Sequence, residues 1–241
     1  MSASSSTPST STALKVLMAI LMIDAAIEFS LLSATVAWLN QFVSVNTFKF
    51  IFAGATHEIS GAPKNLLVNQ GHTSNAAAGT AFIVIGLGGI LALFLRSRSH
   101  GGLTGFSKFL YYLWMSLQIP ALLLTLIALA YVFYETNARV GQTIDASAAA
   151  ALGAGAAYPL KSWTPQNWFA ALLDLDLASA AARDAILAHL EIARGWEYNL
   201  IPLFLIQIGE TVAAIMDYLA FRRSSKVAAA PYNSLIRDNY S

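Results

Sequence analysis

Four carboxylates lie inside long apolar stretches of this chain: Asp24, Glu28, Glu210 and Asp217. A charged carboxylate at the centre of a membrane helix costs about 2.5–3.5 kcal/mol on insertion scales, so such residues mark pairing or chemistry. Asp24 and Glu28 stand at i and i+4 and face the same way on a helix. Glu210 and Asp217, two turns apart, also share a face. At about 1.5 Å of rise per residue, Asp24 lies about 14 Å from Lys15, Gln118 about 15 Å from Lys108 and Glu210 about 18 Å from Arg222. Asp24, Gln118 and Glu210 are therefore expected at one depth, with Glu28 a turn further out. Asp217 is expected near the inner interface, as a snorkelling partner of Arg222.

This layer supports two readings. In one it is an interhelical hydrogen-bond layer that holds the helices in register. In the other, Asp24, Glu28 and Glu210 form a proton- or cation-binding site or the acid/base group of a membrane enzyme. Gln118 would then orient them and His72 would stand at the outer mouth.

Other chemistries are poorly represented. The chain has no cysteine, which excludes disulfides, thiol catalysis and Cys-ligated zinc or iron–sulfur clusters. His57, His72 and His189 are expected on the outer side, where they are either loop hydrogen-bonders or a composite site. None has the His-x-x-x-His spacing of a helix-borne metal pair, so no metal and no cofactor is assigned. His100 adds charge to a basic inner turn. Gly86-Leu87-Gly88-Gly89 lies in an apolar run with no strand before it and is no phosphate loop. These glycines thin one face of a span for close packing.

The elements that must position these residues follow from composition. Of 241 residues, 56% are hydrophobic and 11% charged. Soluble domains carry about 25% charged residues, so this is a membrane protein in contact with the lipid bilayer. A net charge of +1 argues against a nucleic-acid partner. A bilayer core of about 30 Å needs about 20 mostly apolar residues per helix. Four stretches qualify, at 14–39, 76–95, 109–134 and 198–221, the third with Pro120 near its middle and the fourth with Pro202 in its opening turn. The first is too long for the apolar region of a signal peptide and is taken as a retained span.

With both termini inside, the inner side holds Lys15, Arg96, Arg98, Lys108, Arg222, Arg223, Lys226 and Arg237 against the single acid Asp238. The excess of basic residues beside helix ends predicts an N-in, C-in topology with cytoplasmic termini, in the plasma membrane or an endomembrane.

The expected fold is all-α: a four-helix transmembrane bundle over 14–222, flanked by disordered tails at 1–13 and 223–241. The first outer loop, 40–75, alternates Phe48, Phe50 and Phe52 with Lys49 and Ile51, the period of short β strands. Thr73 or Ser74 is expected to cap the second span. The second outer loop, 135–197, is expected to be loosely ordered over 146–157 and then to form a helical cap. Thr164 as N-cap with Pro165 at N1 opens one helix. A second, over 179–194, places Ala182, Ile186, Leu190 and Ala193 on one face. Trp163, Trp168, Trp196 and Tyr198 are expected as outer interfacial anchors. Trp163 and Trp168, with His72, are the candidate binding residues of the loops.

Two segments carry a resemblance. They are Val68-Asn69-Gln70-Gly71-His72-Thr73-Ser74-Asn75-Ala76-Ala77-Ala78-Gly79-Thr80-Ala81, and Trp163-Thr164-Pro165-Gln166-Asn167-Trp168 with Gly195-Trp196-Glu197-Tyr198-Asn199-Leu200-Ile201-Pro202-Leu203-Phe204. The chain resembles uncharacterised four-span integral membrane proteins of filamentous fungi, over nearly everything between the tails. The resemblance implies a lineage and no activity. Claudins and tetraspanins share the topology but depend on loop cysteines that this chain lacks. The four-span anthrone oxygenases of fungal polyketide clusters share size and architecture, without their Trp/Asn/His pattern here.

The expected function is an interaction or membrane-organising protein whose outer loops meet a membrane-protein partner or a second copy. The alternative is a cofactor-free membrane enzyme, of the biosynthetic-cluster oxygenase or cyclase type, or a proton-coupled carrier, using Asp24, Glu28 and Glu210.

Overall fold

The computed structural model describes the backbone of residues 8–98 and 105–238, and side chains within 12–98 and 105–223. Its order is α1 (Pro8–Trp38), a π-helical turn Leu39–Val43, β1 (Thr47–Phe52), β2 (Ala55–Ser60) and α2 (Asn69–Gly79). A π-helical stretch, Thr80–Leu87, leads into α3 (Gly88–Arg98). Then follow α4 (Gly105–Asn137), α5 (Ala146–Ala150), α6 (Pro165–Leu173) and α7 (Ala180–Asp238). Four helical stretches are long and apolar enough to cross a membrane: Thr12–Val43, Asn69–Arg98, Gly105–Asn137 and Ala180–Arg223. The chain is an all-α, four-span, multi-pass integral membrane protein with one two-stranded sheet.

All four expected spans are present and each is longer than its apolar run. The second begins at Asn69, seven residues before the expected start, so Thr73 and Ser74 are not caps. They lie inside the helix, where the Thr73 hydroxyl donates to the Asn69 carbonyl at 3.0 Å. The helix expected as a separate cap over 179–194 is the opening of α7. Gly195 costs a helix only about 1 kcal/mol, too little to break it. Pro202 therefore sits well inside a helix, which membrane spans tolerate. The outer helices run past the expected span ends: α1 starts at Pro8, and the α7 backbone runs on through Ala228–Ala230, strong helix formers, to Asp238. Residues 1–7 and 239–241, with His100, lie outside the described residues.

The chain forms two compact units. The first comprises the described residues of Met1–Ala25, Gly79–Leu124 and Leu203–Ser241. Its core packs Leu14, Met18, Leu93, Tyr111, Trp114 and Ala214. A Cβ on Gly89 would meet Met18 Cε at 2.5 Å and Trp114 Nε1 at 2.8 Å, so only glycine admits this approach. The Trp114 indole N–H donates to the Ile85 carbonyl at 3.1 Å, a contact made available where the helix is widened to π geometry.

The second unit comprises Ala26–Ala78 and Thr125–Pro202. Here β1 and β2 pair antiparallel from Thr47↔Ser60 to Phe52↔Ala55. Ala53 and Gly54, at φ 50° and 77°, make the two-residue turn that matches strand twist. Phe48 and Phe50 point into the core and Lys49 and Ile51 out, as the alternation predicts. The other edge of β1 is covered by the chain at 176–178, through Ile51 N–H to Asp176 O (2.7 Å) and Ala178 N–H to Lys49 O (2.9 Å).

The two long loops are laced together by backbone bonds between Lys64 and Tyr158, Asn65 and Trp163, and Leu67 and Trp163. Trp163, Trp168 and Trp196, expected as interfacial anchors, are instead buried at 0%, 0% and 1% exposure. An indole removes about 150–250 Å² from its surroundings, and folding one loop onto the other encloses that surface. Thr164 caps α6 with Pro165 at N1, as expected. The 146–157 stretch, expected to be loose, contains α5, which Asp145 caps by accepting from the Ser147 and Ala148 amides at 2.9 and 3.1 Å. The Ser147 hydroxyl, donating to Oδ1 at 2.6 Å, and then the two amides favour the charged form and hold the Asp145 carboxyl below its usual value.

Candidate functional site

The expected layer of acids divides between the two units. In the second, Glu28 of α1 is fully buried. The Ser74 hydroxyl of α2 donates to its Oε1 at 2.5 Å, and the Asn199 amide of α7 donates to Oε2 at 3.2 Å. Three helices thus converge on one carboxyl group. Serine beside a carboxylate resembles a nucleophile and its base, but Ser74 is itself fully buried, and a nucleophile must be reached by substrate.

In the first unit, Gln118 of α4 donates from Nε2 to Glu210 Oε1 at 3.3 Å, and Thr211 donates to Gln118 Oε1 at 3.4 Å. Glu210 is fully buried and its Oε2 has no hydrogen-bond partner among the described residues. Asp24 belongs to this unit and is partly buried. The expected pairing of Gln118 with Glu210 is therefore present. Glu28 answers instead to Ser74, in the polar opening of α2, and to Asn199 of α7.

The third acid pair corrects the sequence expectation. Asp217 does not bond Arg222; Arg96 of α3 forms a bidentate ion pair with it. Arg96 also donates to the Tyr111 hydroxyl at 2.8 Å and lies over the Tyr111 and Phe221 rings at 5.0 and 5.4 Å. The helix of the second span extends to Arg98, so Arg96 stands within it and reaches across to α7. Arg222, meanwhile, lies over the Tyr218 ring at 5.7 Å.

The second unit also contains a cavity of about 700 Å³ along the last turns of α1 and the first turns of α2. His72 lines it, whereas neither Glu28 nor Glu210, whose outer mouth His72 was expected to form, does. Trp163 and Trp168 do not line it either. Their rings meet edge to face at 5.2 Å, and their indole N–H groups donate to the Leu160 and Gly61 carbonyls. They are core side chains, not a binding surface. His189 stacks on Trp38 at 3.9 Å, and His57 packs between Phe50 and Phe52. The three histidines thus lie in separate surroundings, and no group of three or more metal-ligating side chains occurs among the described residues.

Ser74, Asn199, Arg96 and Tyr111 were not singled out from sequence as partners. Tyr111 and Asn199 could have been found as polar groups inside apolar runs; Ser74 and Arg96 lie just beyond the ends of the run at 76–95 and carried no such signal. Compared with known proteins, the chain matches no family profile, no curated protein and no solved structure.

Proposed function

We propose that this protein is an interaction or organising protein of a membrane, with both termini cytoplasmic and a folded module on the opposite side. The observation that carries the reading is the core built from the two long loops. Trp163, Trp168, Tyr158, Phe50 and Phe169 are packed there to near-complete burial. A chain that only crosses a bilayer has no need of such a core, whereas a rigid surface for a protein partner or a second copy does. The acids fit the same reading. Glu28, Glu210 and Asp217 are each held by side chains of neighbouring helices, which fixes the register of the bundle. Lys15, Arg96, Arg98, Lys108, Arg222 and Arg223, beside one set of helix ends, support the cytoplasmic termini.

A second reading is favoured by one atom, Glu210 Oε2, buried without a partner among the described residues. A carboxyl with a spare oxygen suits a proton-coupled carrier or a cofactor-free enzyme using Glu210 with Gln118, Asp24 and Glu28. Native mass spectrometry of the protein, purified from its host in mild detergent, separates the two. A defined protein partner or homo-oligomer supports the organising reading. A stoichiometric small molecule or ion that is lost in the Glu28→Gln/Glu210→Gln variant, with folding retained, refutes it in favour of the second.

A further inference from the structure

The two-stranded sheet has one covered edge and one open edge. On the covered side, the Ile51 N–H donates to the Asp176 carbonyl and the Lys49 carbonyl accepts from the Ala178 N–H. Backbone groups in an antiparallel ladder alternate sides residue by residue, so Phe48, Phe50 and Phe52 bond across the hairpin to Ile59, His57 and Ala55. Thr56, Glu58 and Ser60 therefore present their N–H and C=O groups at the outer edge of β2. The Ser60 N–H donates to the Ala156 carbonyl at 3.2 Å, which closes that end. The N–H and C=O groups of Thr56 and Glu58 have no partner among the described residues. Thr56 is exposed and Glu58 half-buried, so this edge can be reached.

We propose that this edge pairs antiparallel with the same edge of a second copy, about a two-fold axis through His57. The pairing rests on the organising reading and deepens it by naming the partner. What is open fixes the register. With Thr56 opposite Glu58 of the second copy, each exchanges both hydrogen bonds with the other, and the two-fold repeats the exchange. Every open N–H then meets an open carbonyl, and none is left over on either copy. Glu58 opposite Glu58 would set two carboxylates face to face, which is destabilising, and would set Thr56 against Ser60, whose N–H is taken. Thr56 opposite Thr56 would leave Glu58 facing the Ala53-Gly54 turn.

Length and charge favour a second copy over an unrelated strand. The opening is bounded by the turn at one end and by Ala156 at the other, so a longer strand finds nothing to bond beyond it. The same edge of another copy matches it in length. On the solvent face, Lys49 Nζ lies 3.5 Å from Glu58 Oε1. In the proposed register each Glu58 stands between that lysine and the Thr56 hydroxyl of the other copy, a donor facing an acceptor. The two Glu58 side chains are only diagonal neighbours, and each keeps its own lysine.

The chain has no cysteine, so a single introduced thiol can form a disulfide only with a second copy. His57 faces His57 of that copy as a non-hydrogen-bonded pair, with Cα atoms about 4.5 Å apart, within disulfide reach. Thr56 and Glu58 each lie diagonal to themselves at about 7–8 Å, beyond it. The test oxidises the full chain in mild detergent with copper phenanthroline and reads dimer on a non-reducing gel. His57→Cys is expected to cross-link at least ten-fold more than Thr56→Cys or Glu58→Cys. Thr56→Pro removes an outward N–H and none of the hairpin's own bonds, and should weaken the homodimer at least ten-fold in native mass spectrometry. A folded His57→Cys protein that stays monomeric, equal cross-linking of Glu58→Cys, or an unaltered homodimer in Thr56→Pro overturns the proposal. If His57→Cys fails to fold by circular dichroism, Thr56→Pro decides alone. A different protein partner without homodimer overturns the pairing and keeps the organising reading, whereas a stoichiometric small molecule or ion with neither overturns both.

Discussion

Replacing Asp217 with asparagine removes one charge from a pair that is largely shielded, with side-chain exposures of 17% for Arg96 and 8% for Asp217. Removing one partner of a buried pair costs about 3–5 kcal/mol, because the other charge is left unpaired. Arg96 keeps the Tyr111 hydroxyl and two ring faces and is partly exposed, which places the loss near about 3 kcal/mol. Arg96→Met leaves Asp217 unpaired and costs a similar amount.

The double variant removes both charges, so its loss stays near about 3 kcal/mol and falls well short of the additive value of about 6. Arg222→Met gives up only a ring contact, worth about 0.5–1 kcal/mol at an exposed site. At roughly 2–4 °C per kcal/mol for a chain of this size, Asp217→Asn and Arg96→Met each lower the midpoint by about 6–12 °C and Arg222→Met by about 1–4 °C. The assay is thermal unfolding in one detergent, followed by circular dichroism across the four variants. Additive single losses, or an Arg222→Met loss equal to that of Arg96→Met, would refute the assignment of Arg96 as the partner of Asp217.

Three further outcomes follow from the packing. Gly89→Ala forces a methyl against Met18 and Trp114 and destabilises by about 1–3 kcal/mol, whereas Gly153→Ala, with open space around it, is near neutral in the same melts. Trp168→Phe leaves the Gly61 carbonyl without its buried donor and costs about 1–3 kcal/mol; an equally small effect of Trp168→Phe and Tyr198→Phe would return Trp168 to the interface. Asp145 has a folded pKa below its ordinary 3.8, so its cap is intact above that value and is lost as pH falls through the lower folded pKa. Relative to intrinsic exchange, the Ser147 and Ala148 amides should exchange faster once pH falls through that lower folded pKa, and at neutral pH in Asp145→Ala. No acceleration in either case would show the cap to be irrelevant.

How far the site was legible depends on the range of the interaction. Thr164 and Pro165 announce α6, and the Phe48–Phe52 alternation announces β1, because caps and strand periods are properties of a few adjacent residues. The four spans were legible for a related reason: lipid solvates only apolar runs, so length and composition alone select them. Their ends were not. Asn69–Ala76 is polar in sequence, yet it is helical because Gln70 and Ser74 find buried partners in Gln166 and Glu28.

The intramembrane acids stood out from sequence by type and depth, and that much was local information. Which group answers each acid was not, since Glu28 meets residues 46 and 171 positions away and Asp217 meets one 121 positions away. The tryptophans show the same division. Their composition suits a membrane interface and a protein core equally, because an indole is a large apolar body with one polar N–H. Only the folding of one loop onto the other decided for the core, by enclosing Trp163 and Trp168 and supplying carbonyls for their N–H groups. Sequence by itself thus determined the solvent of each segment and the elements that solvent permits. Tertiary structure decided which buried polar groups meet and where a cavity remains, because those depend on contacts between residues far apart in the chain.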